Sequence, residues 1–254
     1  MTLAACAELV ERGDPDRWLT VLAVPPEARC RLLPVYAFNV EVSRAPWAVS
    51  EPMIAEMRLQ WWADALAEIA DGGRPRDHEV CHALAGVLDV ESIAILADLV
   101  DARRQDAWPG PFADLDALKA YLDATGGGLM RVACRALGAD DVAAVRAQGR
   151  AAAAAAWLAA VPALIGAGRH PLPGDPGVAI RGLAEWGLDA AETARAARRS
   201  VAVAARPALL AGWMAAPVLA RALNDPARVL DGRLGHSEAR RKARLIRMRY
   251  LGRW

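Results

Sequence analysis

His78-Glu79-Val80-Cys81-His82 matches H-E-x-x-H, the pattern in which two histidines one helical turn apart hold zinc and the glutamate acts as general base. A zinc hydrolase needs a third ligand, and Asp98 or Asp101 could supply it. Pro75 and Asp77 place His78 in the first turn of its helix, where geometry frays. Ala85 stands where the longer zinc-protease signature requires glycine. The bland reading is a helix start with one histidine packed; zinc hydrolysis stays as an alternative. A second polar group lies upstream. Glu56, Gln60 and Asp64 fall at i, i+4 and i+8 on one helical face, with Leu59, Trp62, Leu66 and Ile69 on the apolar side. That stripe either meets solvent or faces an internal cavity.

The elements that must position these residues are helices. The chain has 254 residues, 55% of them hydrophobic, enough for one large domain or two small ones. Alanine, leucine and arginine dominate, while Phe and Tyr number 2 and 3. Ala and Leu favour helices, so the expected class is all-α. Prolines and acidic caps punctuate helices over 26–44, 52–70, 77–88, 91–106, 114–124 and 128–137, then a long alanine-rich helix over 140–165. Two or three more fill 180–223. The net charge of +1 argues against a nucleic-acid partner. Cys6, Cys30, Cys81 and Cys134 are widely spaced and read as reduced, buried thiols of a cytoplasmic protein. No run of about 18 apolar residues is evident, so no spanning helix is expected. The Leu3-Ala-Ala-Cys6 string has no apolar region before it and is rejected as a lipoprotein box.

Several motifs then fall in a recognisable order. They are Asp14-Pro-Asp-Arg17, Tyr36-Ala-Phe-Asn39, Val49-Ser-Glu-Pro52 and Glu56-x-Arg58-x-x-Trp61-Trp62-x-Asp64. Tyr121 followed by Gly126 and Gly128, and Gly168-Arg169-His170-Pro171-Leu172-Pro173, continue the pattern more weakly. Over residues 14–175 the chain resembles the squalene/phytoene synthases, which join two prenyl diphosphates head to head. The resemblance implies an isoprenoid-synthase-like helical bundle around a central cavity. It also implies that Tyr36, Phe38, Glu41, Arg44, Glu56, Arg58, Gln60, Trp61, Asp64 and Tyr121 line that cavity.

Catalysis in that family depends on two aspartate-rich helices that hold magnesium against the leaving diphosphate. The first cluster should follow Tyr36-Ala-Phe38, but Ser43, Arg44 and Trp47 occupy its positions and Glu41 is the lone nearby carboxylate. The second should precede Gly168-Arg169, yet no Asp or Glu occurs over 142–174. No catalytic residue and no metal ligand is therefore assigned, and no cofactor is expected. Magnesium enters only if the chain is an active synthase using unconventional acids, which remains the alternative. Arg44 and Arg58 could bind a diphosphate directly, or pair with Glu41, Glu51 or Glu56.

Arg44 with Val49-Ser50-Glu51-Pro52 resembles the branch of the family that lacks the aspartates. That branch includes a mitochondrial assembly factor for respiratory complex I, which implies a non-catalytic helper handling a membrane-protein client. The expected ligand is an isoprenoid or other lipid. The segment 233–254 carries eight basic residues and one acid, Glu238. As a helix it would align Ala239, Ala243, Ile246 and Tyr250, flanked by Arg240, Arg241, Arg244 and Arg247 and ended by Trp254. It reads as a basic tail after a domain over 1–232, lying on an anionic membrane surface or packed on the body. The expected location is cytoplasmic, peripheral on the inner membrane, with no nucleic acid bound.

Overall fold

Proline at the first turn and aspartate at the cap set most helix starts. The computed structural model describes residues 2–49, 51–108, 110–140 and 142–251, and among them all regular structure is helical. The α-helices are α1 (Thr2–Gly13), α2 (Pro15–Leu22), α3 (Pro26–Arg44), α4 (Pro52–Ala70), α5 (Glu79–Ala85), α6 (Val90–Arg103) and α7 (Leu115–Leu122). There follow α8 (Gly128–Ala136), α9 (Ala143–Gly166), α10 (Pro176–Ala196), α11 (Arg206–Leu209), α12 (Ala215–Asn224), α13 (Ala227–Leu230) and α14 (Glu238–Leu251). Asp14, Asp89, Asp114 and Asp175 each accept the backbone N–H three residues on, at 2.7–3.0 Å, satisfying a donor the helix cannot. The expected all-α class is what the structure shows. Two details differ from the sequence pattern: α1 carries no start signal and was not foreseen, and His78 rather than Asp77 caps α5.

By internal contacts the chain divides into two units. The first comprises Met1–Trp108, Gly128–Asp141 and Ala202–Ala208. Its buried residues include Leu32, Tyr36, Phe38, Leu59, Leu66, Leu84, Leu96 and Leu99. The i, i+3, i+4 spacing of Leu59, Trp62 and Leu66 turns one face of α4 inward, as the sequence predicts. Arg135 of α8 reaches Asp89 at 2.7 Å and Glu91 at 2.9 Å, tying α8 to the start of α6.

The Asp89 carboxyl is held down at about 2, chiefly by the Arg135 hydrogen bond, against its burial. A depressed folded-state value stabilises above the unfolded carboxylate range and is lost as pH falls through about 2. Asp89 is half exposed (52%), so the contribution is discounted to about 1 kcal/mol. Asp89→Asn keeps the cap and removes the charge. In urea titrations it should therefore lie about 1 kcal/mol below the native chain at pH 7, with the gap closing towards pH 2.

The second unit comprises Pro109–Gly127, Val142–Val201 and Leu209–Trp254. Here the alanines of α9 have a structural reason. Ala144, Ala147, Ala151, Ala154, Leu158 and Val161 are buried, and α9 packs along α10 and α12. A Cβ on Gly187 of α10 would stand 3.0 Å from Ala154 Cβ and 2.8 Å from a Leu219 methyl, so the helices approach as closely as small residues permit. Gly126 sits in a π-helical turn, Asp123–Gly127, where the sequence suggested a break. Its Cβ would meet Ala153 Cβ at 2.8 Å, so the turn lies flat on α9. By length and composition alone, α9 and the segment 203–224 are apolar enough to cross a membrane, contrary to the sequence expectation. Alanine's mild hydropathy conceals this in a search for strongly apolar runs.

The thiols follow the sequence reading with one correction. Cys6, Cys81 and Cys134 are buried and form no disulfide among the described residues, and burial pushes Cys6 and Cys81 up to about 11. Cys30 is exposed, because it falls on the outer face of α3.

The basic segment is a helix packed on its own unit, but not by the strip the sequence suggested. Leu245 and Met248 face inward, 7% and 4% exposed, while Ile246 and Tyr250 point outward at 59% and 81%. Ala239 and Ala243 are exposed with them. Arg244 Nε donates to the Trp213 carbonyl at 2.6 Å, and the Arg241 guanidinium lies 5.5 Å from the Trp213 ring centre. Arg240 and Arg247 are exposed, and Trp254 lies outside the described residues.

Candidate functional site

The end of α3, the following 3₁₀ turn (Ala45–Trp47) and the middle of α4 enclose an open recess of about 400 Å³ in the first unit. Its lining is Glu41, Arg44, Ala45, Ala48, Arg58, Trp61, Trp62 and His78. The floor is aromatic. Trp62 packs edge-on against Phe38 (5.3 Å), Trp61 (4.9 Å) and His78 (5.2 Å), each at a steep angle. Phe38 on α3 and Trp62 on α4 thereby fix how the two helices meet. Ala45 and Ala48 leave the space open.

Charge is distributed unevenly around this floor. Among the described residues neither Arg44 nor Arg58 forms an ion pair, so the pairings with Glu41, Glu51 or Glu56 allowed by the sequence are not made. The Glu56–Gln60–Asp64 stripe turns to other partners. Arg104 donates to Glu56 Oε2 and Gln60 Oε1, both at 2.7 Å, and Trp108 Nε1 donates to Glu56 Oε1 at 3.1 Å. Gln60 donates to Asp64 at 2.6 Å, and Arg76 meets Asp64 at 3.6 Å and Glu68 at 2.9 Å. Arg76 also stacks 5.0 Å over Trp61 and donates to its carbonyl at 3.0 Å. The stripe is a hydrogen-bonded seam between α4, the 3₁₀ turn after α6 (Arg104–Ala107) with Trp108, and the loop before α5.

Of the residues expected to line a cavity, Glu41, Arg44, Arg58 and Trp61 meet in this recess. Phe38 supports its floor from beneath. Glu56, Gln60 and Asp64 lie in the seam. Tyr121 belongs to the second unit, where its ring packs with Phe112 at 5.1 Å and Trp157 at 5.4 Å. Tyr36 is buried in the first unit, 1% exposed, with the Arg17 guanidinium 5.7 Å from its ring centre. Burial pushes its hydroxyl far above the usual phenol range, and the oxygen has no hydrogen-bond partner. An orphaned buried hydroxyl costs free energy that phenylalanine avoids. Tyr36→Phe should leave unfolding free energy unchanged or raise it by up to about 1 kcal/mol in urea titration.

Sequence reasoning did not place His78, Ala48 or Trp62 in the lining. It also missed the Arg104 clamp, which lies 44 and 48 residues from its partners, so no local spacing could disclose it. His78 has a different task from zinc ligation. Its Nδ1 accepts the Val80 N–H at 3.2 Å as the cap of α5, and its ring rests on both tryptophans. His82 turns to Asp77 at 3.5 Å.

A family model described as squalene/phytoene synthase matches residues 10–229. The chain belongs to the squalene/phytoene synthase family. Curated relatives include the human NADH dehydrogenase (ubiquinone) complex I assembly factor 6, 27% identical over 139 residues, which are 54% of this chain and 41% of that protein. Its Drosophila melanogaster homolog is 30% identical over 178 residues, 66% of this chain and 52% of the relative. The chain thus spans about half the length of the curated relatives it matches, or less. A dehydrosqualene synthase crystal structure with a ligand aligns at TM-score 0.80 and 16% identity, covering 100% of this chain and 97% of that one. A squalene synthase from Alicyclobacillus acidocaldarius aligns at 0.70 and 17% identity, covering 89% and 94%. These two show the isoprenoid-synthase fold.

The residues present do not fit the magnesium cluster that synthase chemistry in this family implies. Magnesium is held through carboxylates and phosphate oxygens in strict geometry. In the recess Glu41 is the single carboxylate, set among two guanidiniums. Ser43 donates its hydroxyl to the Val40 carbonyl at 3.1 Å. Helix α9 contains no carboxylate at all. Among the described residues no three of His, Cys, Asp and Glu converge as a metal site.

Proposed function

We propose that this member of the squalene/phytoene synthase family is catalytically degenerate. It binds an isoprenoid or other anionic lipid in the Glu41–Arg44–Arg58–Trp61 recess and helps a membrane-protein client assemble at the cytoplasmic membrane surface. The observation that carries this reading is the pairing of a kept recess with lost acids. The aromatic floor and two unpaired arginines remain, suited to an apolar chain with an anionic head. The carboxylates that would neutralise a leaving diphosphate through magnesium are gone from both expected helices.

A surface for the client lies on the same helix. Met53 and Met57, one turn apart on α4, are 67% and 66% exposed, with Ile54 and Trp47 at 39% and 42%. Methionines adapt to varied apolar partners. The named relatives supply the kind of client, a respiratory-complex subunit. Outward Arg240 and Arg247 on α14, beside exposed Ile246 and Tyr250, suit an anionic bilayer surface.

The test has two arms. Incubation with farnesyl or geranylgeranyl diphosphate and magnesium should release pyrophosphate no faster than a heat-inactivated control. Crosslinking in cells followed by mass spectrometry should enrich respiratory-complex subunits over a Met53→Asp/Met57→Asp variant. Pyrophosphate release at an enzymatic rate overturns the degenerate reading, and equal recovery by the variant overturns the client surface.

A further inference from the structure

The second unit holds a recess of its own, of about 250 Å³, whose lining includes Arg195, Arg198, Arg244 and Arg247. We propose that it is a binding site for a phosphate-bearing group, either a soluble phosphate ester or a lipid headgroup. The four cations come from three elements: Arg195 from the end of α10, Arg198 from the 3₁₀ turn after it, and Arg244 and Arg247 from α14. No carboxylate lines the recess, and among the described residues none of the four forms an ion pair. Burial, with the like charges of Arg247 and Arg195, pushes the Arg244 guanidinium below its usual range. Bringing four cations to one concavity without a counter-charge costs free energy, which an anion would recover.

The rest of the lining suits such an anion. Gln148, a side chain only 5% exposed, lies on the floor, so its amide adds a neutral polar group to the cationic rim. It is held against Gly212, where a Cβ would collide with Gln148 Nε2. Arg244 is braced by its bond to the Trp213 carbonyl, so its direction is set before a ligand arrives. Ala191, Ala215 and Ala216 keep the recess open. Guanidinium forks match phosphate oxygens two at a time, and a phosphate monoester carries charge about −1.5 to −2, against −1 for a carboxylate. The volume accommodates a headgroup, not a prenyl chain. Gln148 lies 16 residues before Leu164, about 24 Å along α9, so this is not the end of α9 where synthase acids are expected. The site shares no residue with the α3–α4 recess and does not rest on the assembly reading.

The full chain should bind inorganic pyrophosphate in calorimetric titration, and Arg195→Ala/Arg198→Ala should weaken that binding at least tenfold. Both residues are exposed, so the variant should retain the native circular dichroism spectrum. Arg240→Ala/Lys242→Ala, which removes the same charge elsewhere on the basic helix, should bind like the native chain. Flotation with phosphatidylcholine vesicles containing phosphatidic acid separates the two sources. Recruitment that depends on Arg195 and Arg198 and is competed by pyrophosphate assigns a lipid headgroup; pyrophosphate binding without recruitment assigns a soluble ester. Binding of neither probe, or equal binding by the Arg195/Arg198 variant, overturns the proposal.

Discussion

Trp62→Ala is expected to lower the unfolding free energy by about 3–5 kcal/mol, among the largest effects of any single substitution in this chain. Trp62 is 5% exposed and touches Phe38, Trp61 and His78 together. Its removal leaves a cavity between α3 and α4 that the helices cannot close by small shifts. Trp61→Ala should behave differently. That ring is half-buried and faces the recess, and its supports are Arg76 and its neighbour's edge. Its loss should cost about 1 kcal/mol of stability, while abolishing most binding of a farnesyl-length ligand to the recess. Urea denaturation and fluorescence titration with a farnesyl phosphate analogue, run on both variants, separate the roles. Equal stability losses would mean that the recess floor and the core are one structure with no division of labour.

That division shows what could and could not be read from the chain. The period of Leu59, Trp62 and Leu66 placed one face of α4 inside, because helical spacing alone dictates it. Pro-Pro punctuation located α3, because first-turn prolines act locally. The Glu56–Gln60–Asp64 face was equally legible as polar, but its partners were not. Arg104 arrives from another helix, and tertiary ion pairing has no local spacing. The same limit hid the arginine recess, whose members span residues 195–247 and carry no motif. For α14 the spacing was ambiguous in itself. Two apolar strips compete, and Leu245 with Met248, which carry no hydroxyl to satisfy, win burial over Ile246 and Tyr250. Glu41, Arg44, Arg58 and Trp61, which the family motifs single out, line one recess. Tyr36 lies apart from it, its ring filling the core with its hydroxyl unsatisfied.

A chain given aspartates at Ser43 and Trp47 is expected to release pyrophosphate from geranylgeranyl diphosphate and magnesium no faster than the native chain. The two positions lie four apart, the spacing that sets carboxylates on one helical side. Yet the graft supplies one cluster where two are needed, since α9 offers no carboxylate. The acid at position 43 would also stand next to Arg44 along the chain, a cation that would compete for it with a divalent ion. Enzymes of any useful rate accelerate their reactions by about a million-fold or more, and a half-built cluster forfeits the charge neutralisation behind that acceleration. If instead the double substitution raised release by several orders of magnitude, a second carboxylate cluster on α9 would not be needed for pyrophosphate release.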